Sequence, residues 1–180
     1  MALSGDNRYH AILEGKRCFA VCPSDTAVAL AALDAKISIA GMRKSRIVPV
    51  RNFFTTLGNI LKPGEMITEV HVPRPSGKVK QSFLKLTLRK PIDFAIVSVA
   101  SVLYLEDGIC GEANIAIGAV APVPIQAERA EQIIKGRAIT PETAAKAAEA
   151  AVAGARPLSM NAYKVEMTKT LVKRAILSSS

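Results

Sequence analysis

QSFLKLTLRKPIDFAIVSVASVLYLEDGICGEANIAIGAVA, residues 81–121, decides the fold. From 83 to 89 the side chains alternate. Leu84, Leu86 and Leu88 fall on one face of a strand; Phe83, Lys85, Thr87 and Arg89 fall on the other. A second apolar run covers Phe94 to Leu105, Asp107-Gly108 reverses the chain, and Ile109 to Val120 returns. An Asp-Gly pair between two strand-like runs marks a hairpin, because the favoured turn needs positive φ at both central residues. The stretch reads as an antiparallel meander of three strands with a cationic side chain, Lys85, on one face of the first.

Working outward, Pro73-Arg74-Pro75-Ser76-Gly77 before the meander reads as a linker: two prolines fix extended backbone and the glycine releases it. Ahead of the linker, Met66 to Val72 alternates as a strand, and Lys62-Pro63-Gly64-Glu65 turns the chain into it. Lys36 to Ala40 is another short strand. Ser24 is a good N-cap for a helix over 26–35, with Asp25 adding negative charge to the first turn. Tyr9 to Leu13 and Cys18 to Val21 read as short strands.

After Pro122 and Pro124 the chain turns helical. A helix over 126–135 carries Glu131 and Lys135 at the spacing of a surface ion pair. Thr140-Pro141-Glu142 opens an alanine-rich helix ending before Gly154. A last helix over 161–177 steps through Tyr163, Met167 and Leu171. The expected class is α+β: a small mixed unit over 1–75, then a three-stranded antiparallel sheet packed on a three-helix cluster over 78–180.

Composition narrows the function. Hydrophobic residues make up 49% of the 180, enough for a packed core. No apolar run reaches the roughly 20 residues of a membrane span. MALSGDNRYH holds no apolar signal core, and a cytoplasmic protein with no membrane partner is the expectation. The net charge of +9 is spread along the chain and suits anionic partners. Aromatic residues are only 4%, poor material for base stacking, so no nucleic-acid partner is expected. Cys18, Cys22 and Cys110 lack the spacing of a metal site and read as reduced, small buried apolar groups. The residues show no nucleophilic triad and no glycine-rich phosphate loop. Tyr163 and Lys164 read as a packing tyrosine and a surface or interface lysine.

A resemblance goes further. PSDTAVALAALDA (23–35), GDNRYHAILEG (5–15), KPGEMITEVHVP (62–73), SFLKLTLRKPIDFAIVSVA (82–100), IAIGAVAPVPIQAERAE (115–131) and NAYKVEMTKTLVKRAI (161–176) resemble, in order, segments of the FAD-binding flavoprotein subunit of molybdenum hydroxylases, the xanthine dehydrogenase and carbon monoxide dehydrogenase family. Each motif is weak alone; their order carries the resemblance. It implies that 1–75 is the C-terminal part of a FAD-binding domain and 78–180 the carbon monoxide dehydrogenase flavoprotein C-terminal-like domain.

What the resemblance implies for function is an oxidoreductase subunit whose FAD relays electrons from iron–sulfur centres to NAD⁺ or another acceptor. Its partners are an iron–sulfur subunit and a molybdopterin subunit. By the match, Asp25 faces the flavin's ribityl side, Lys85 lies beside the isoalloxazine, Leu61 is near the ring, and Ser24 adjoins Asp25. Each residue also has a plainer reading: first-turn acid, strand-face lysine, core leucine, helix cap. Arg89 and Asp93 read as a structural ion pair. The family's glycine-rich N-terminal flavoprotein half, whose backbone N–H groups cradle the pyrophosphate, has no counterpart in this sequence. That half is therefore an expected partner, and weak or no FAD binding is expected of this chain alone. The alternative is an assembly module of the same complex that docks the other subunits and binds no FAD by itself.

Overall fold

The computed structural model describes residues 3–15, 18–90 and 92–178. Ser24, in extended conformation, caps α1 (Asp25–Ala32) by accepting a hydrogen bond from Ala27 N at 3.1 Å. Strands β1 (Lys36–Ala40) and β2 (Ser45–Pro49), a 3-10 turn (Val50–Asn52), the two-residue strands β3 (Phe54–Thr55) and β4 (Gly58–Asn59), and β5 (Met66–His71) follow. They form a small antiparallel sheet in the order β2-β1-β5, with β3 and β4 paired beside it.

Beyond the linker come β6 (Val79–Leu86), β7 (Val97–Glu106) and β8 (Ile109–Gly118), the expected meander. Asp107 and Gly108 have φ of 49° and 82°, the left-handed backbone that their hairpin turn requires. Strand β6 ends at Leu86, so Leu88 lies outside the ladder and is exposed. Two two-residue strands widen the sheet on the outer edge of β8: β9 (Ile125–Gln126) near one end and β10 (Arg137–Ala138) near the other. Helices α2 (Glu128–Ile134), α3 (Pro141–Ala151) and α4 (Tyr163–Ser178) complete the chain.

Neither Tyr9–Leu13 nor Cys18–Val21 is a strand: the first runs through turns and bends, and the second has no regular structure. Their backbone groups are used elsewhere: Ala11 N donates to Phe19 O, Ile12 N and Leu13 N both donate to Val120 O, and Cys22 N donates to Ala121 O. The N-terminal segment is thus laid against the exit of β8.

The meander has apolar layers on both faces. Val97, Val99, Leu103, Ile115 and Ile117 face a core shared with α2, α3 and α4. On the opposite face Ala100, Val102 and Ala116 join Val28 of α1 and Ile37 and Ile39 of β1. This second cluster crosses the linker, so the small sheet and the meander share buried surface. Leu84 and Leu86 pack toward the helices, leaving Phe83 and Lys85 on the α1 side, as their alternation required.

Candidate functional site

The row Lys85, Ser98 and Gly118 crosses three adjacent strands in register, with Lys85 opposite Ser98 and Ser98 opposite Gly118. Helix α1 lies over this row. A Cβ at Gly118 would come within 2.5 Å of Ser98 Oγ and closer still to Val28 Cγ2, so the missing side chain is what lets α1 settle on the sheet. The same approach brings the first turn of α1 to the edge strand. There Lys85 Nζ donates to Asp25 Oδ2 at 2.6 Å.

The pair is half open: the Lys85 side chain is 27% exposed and that of Asp25 is 38%. Both groups can therefore meet a ligand without unfolding anything. One turn along α1, a shallow hollow of about 230 Å³ lies between Ala29, Ala32 and Leu33 and the strand residues Gln81, Phe83 and Val102. Pockets that enclose a small organic ligand run from about 300 Å³ upward, so this hollow is one wall rather than a closed site.

Among the sequence-derived candidates, Asp25 and Lys85 are joined directly across 60 positions. Ser24 is beside them and is occupied as the helix cap. Leu61 is in a different loop, half-buried against the second core cluster, with its N–H donating to Asn59 Oδ1 at 3.0 Å. That loop is braced by Arg46, whose Nη2 donates to Ile60 O at 2.9 Å and to Glu65 Oε2 at 2.8 Å. The Arg46 guanidinium also holds the Glu65 carboxyl below the usual carboxylate range. Arg89 and Asp93 form the expected ion pair, with Asp93 Oδ1 also accepting from Phe94 N.

The comparisons identify the family. Residues 5–75 match the model of the FAD binding domain in molybdopterin dehydrogenase, and residues 82–179 match the CO dehydrogenase flavoprotein C-terminal domain. The chain belongs to the FAD-binding flavoprotein subunits of the molybdenum hydroxylases. The aldehyde oxidoreductase FAD-binding subunit PaoB of Escherichia coli K12 is 32% identical over 177 residues, 93% of this chain and 52% of the relative. The xanthine dehydrogenase FAD-binding subunit of Escherichia coli O157:H7 is 26% identical over 168 residues, 90% of this chain and 58% of the relative. The crystal structure of quinoline 2-oxidoreductase from Pseudomonas putida 86 superposes with a TM-score of 0.80 at 31% identity, covering 89% of this chain and 57% of that one. The chain thus spans a little over half the length of the relatives it matches. FAD is the cofactor of this flavoprotein family, and its members are oxidoreductase subunits.

Three features depart from the sequence reading. Lys164 is not a surface lysine but fully buried. Its ammonium donates to three carbonyls: Ala119 O at 2.6 Å, and Tyr9 O and His10 O at 3.1 Å each. Burial pushes its pKa down to about 8. Around it, buried Asn161 donates to His10 O, buried Asn7 accepts from Met160 N, and Tyr163 donates to Arg8 O. The α4 face that packs inward runs through Lys164, Thr168, Leu171 and Ala175, one position on from Tyr163 and Met167. A lysine and a threonine at core positions hide that stripe from a hydropathy reading.

Glu131 does not pair with Lys135. It turns inward, accepting from Ile115 N at 2.7 Å and from the Gln126 side-chain amide. It fills the gap on the edge of β8 between the short strands β9 and β10. Burial raises its pKa above the usual carboxylate range. Of the cysteines only Cys110 is buried, and burial raises its thiol pKa; Cys18 and Cys22 are partly exposed. Among the described residues no group of histidine, cysteine and carboxylate side chains could hold a metal ion, and no helix is long and apolar enough to cross a membrane.

Proposed function

We propose that this chain forms one wall of a flavin pocket in a molybdenum hydroxylase, with Asp25 and Lys85 turned to the flavin. The observation that carries the reading is the half-exposed Asp25–Lys85 pair at the N-terminus of α1. A carboxylate there accepts hydrogen bonds from ribityl hydroxyls. The lysine, once shared with a ligand, places positive charge where electrons arrive and makes reduction easier. Ser24 fixes the helix start that aims Asp25, and Leu61 contributes apolar surface from the braced loop. FAD supplies the chemistry no side chain can: it takes up electrons singly or in pairs. In the relay, iron–sulfur centres deliver electrons and NAD⁺ or another acceptor receives them. The iron–sulfur and molybdopterin subunits are the partners.

A second reading is favoured by the size of the hollow and by the mutual neutralisation of Asp25 and Lys85. In it the chain docks its partner subunits and holds no FAD alone.

The test is co-expression with the part of the Escherichia coli aldehyde oxidoreductase FAD-binding subunit that lies outside the matched span. The pocket reading expects a yellow complex whose flavin potential falls in Lys85→Ala. A complex that stays colourless at saturating FAD leaves the docking reading.

A further inference from the structure

Among the described non-glycine residues with left-handed backbone, Ala119 is the buried one, at φ 60°. An L-residue resists that conformation because its Cβ crowds the following carbonyl, so the surroundings must impose it. The imposing contact is Lys164, whose ammonium donates to Ala119 O at 2.6 Å from the first turn of α4. The same ammonium holds Tyr9 O and His10 O. A little further along that segment, Ile12 N and Leu13 N donate to Val120 O at 2.8 and 3.0 Å. Lys164 therefore grips the exit of β8 twice, directly at Ala119 and through residues 9–13 at Val120.

The strip 118–121 gripped in this way also carries the start of α1. At one end, Gly118 leaves the space that Val28 fills. At the other, Ala121 O accepts from Cys22 N at 2.9 Å. Asp25 lies midway between these two attachments, three residues after Cys22 and three before Val28. Its partner Lys85 is fixed separately, by the ladder that sets it opposite Ser98. A turn of the Ala119 backbone toward an ordinary conformation would swing Ala121 and Cys22 relative to Gly118. Asp25 would move with them, while Lys85 stayed in the sheet.

We infer that Lys164 is the positioning residue of the Asp25–Lys85 pair: from the helical layer it sets the backbone at Ala119, and that backbone aims the first turn of α1. Fully buried, it acts through the main chain and not on a ligand. The residue type fits the task. An ammonium on a flexible stem has three N–H donors and can join carbonyls from two distant segments; an apolar side chain of the same volume joins none. The inference deepens the flavin-wall reading and rests on it for its consequence, the aim of Asp25 toward a ribityl chain.

The experiment is amide hydrogen exchange on the chain alone, comparing wild type, Lys164→Met, Lys164→Met with Ala119→Gly, and Ala119→Val. The Cys22 and Ala27 amides report the lead-in and the cap of α1. In Lys164→Met they are expected to exchange faster by about tenfold or more beyond any change in the central strand β7. Glycine takes left-handed backbone without a Cβ penalty, so Ala119→Gly is expected to restore much of their protection in that background. Ala119→Val keeps the ammonium but puts a branched side chain where positive φ is least tolerated, and is expected to release the same two amides. It decides the question if Lys164→Met does not fold. Acceleration shared evenly between α1 and β7 overturns the inference and leaves Lys164 a general brace. So does a double variant no better protected than Lys164→Met. In the co-expressed complex described above, Lys164→Met is expected to weaken FAD binding by about tenfold or more, as the loss of one charged hydrogen bond does. That loss should not add to the loss in Asp25→Asn, because both remove the same contact. A yellow complex in which the two losses add overturns the inference. A colourless complex whose chain still shows selective release of Cys22 and Ala27 supports the positioning and refutes the pocket, so the two failures are separable.

Discussion

Val28 Cγ2 occupies the space that a side chain at position 118 would need, so the seat of α1 on the meander is defined by a hydrogen atom at Gly118. Gly118→Ala forces Val28 or the buried Ser98 to move, and overpacking of this kind typically destabilises by about 1–3 kcal/mol. The variant is expected to unfold at lower urea concentration. Gly118→Ala with Val28→Ala is expected to recover part of the loss, less the buried methyls that Val28 gives up. Additive losses in the double variant would mean that the two positions do not compete for the same space.

Asp25 and Lys85 contribute little to stability. A pair this exposed is worth about 0–1 kcal/mol. Asp25→Asn and Lys85→Met are expected to shift the chain's urea midpoint only slightly, with a coupling below about 1 kcal/mol in a double-mutant cycle. In the flavin-loaded complex the same variants are expected to change affinity for FAD by much more than they change folding. A large stability loss in the chain alone would make the pair a structural strut instead.

The meander, its hairpin turn and the side of β6 that carries Lys85 were legible because alternation and Asp-Gly chemistry are local signals. The Asp25–Lys85 contact was not legible from spacing; only the family resemblance singled out both residues. The turned-in Glu131 and the buried Lys164 escaped for a common reason. Each satisfies backbone groups of a segment distant in sequence, and a charged residue on a helix reads as solvated unless those orphan groups are known. Leu88 was placed on the strand by its alternation, but β6 ends at Leu86, where Ile96 N donates to Leu86 O and closes the ladder.

Glu131 stands in for a strand on the edge of β8, and beside it Gln126 Oε1 is buried with no partner among the described residues. Glutamine at 131 keeps an acceptor for Ile115 N and adds an amide N–H that can serve Gln126 Oε1. Glu131→Gln is therefore expected to be neutral or stabilising at pH 7. Glu131→Ala, which strands the Ile115 donor, is expected to lose about 1–3 kcal/mol. The pH dependence has a definite sign. The folded-state pKa of Glu131 is raised above its unfolded value by burial, so the folded state holds the proton more tightly. Its contribution is largest at low pH and declines as pH rises through that raised value. The stability of Glu131→Gln relative to wild type should accordingly increase from about pH 4 upward, measured by urea unfolding across pH; a flat difference would refute it.

Lys164 has three N–H donors and spends all of them on carbonyls of Tyr9, His10 and Ala119, tying the N-terminal segment to the exit of β8 and to α4. Lys164→Met keeps the volume and leaves three carbonyls without their donor. Unpaired buried polar groups cost about 1–3 kcal/mol each, so a loss of several kcal/mol is expected, offset by the ammonium no longer being desolvated. The pH profile separates these opposing effects. The folded pKa is about 8, below the ordinary lysine value of 10.5. Between those values the unfolded chain binds the extra proton, so wild-type stability should gain up to about 3 kcal/mol relative to Lys164→Met as pH rises through that window. Below pH 8 the difference should be constant. Denaturant unfolding of both proteins from pH 6.5 to 10 reads it directly (roughly the span over which this titration moves), and a difference that falls with rising pH would show that the carbonyl cage, not desolvation, sets the charge of Lys164.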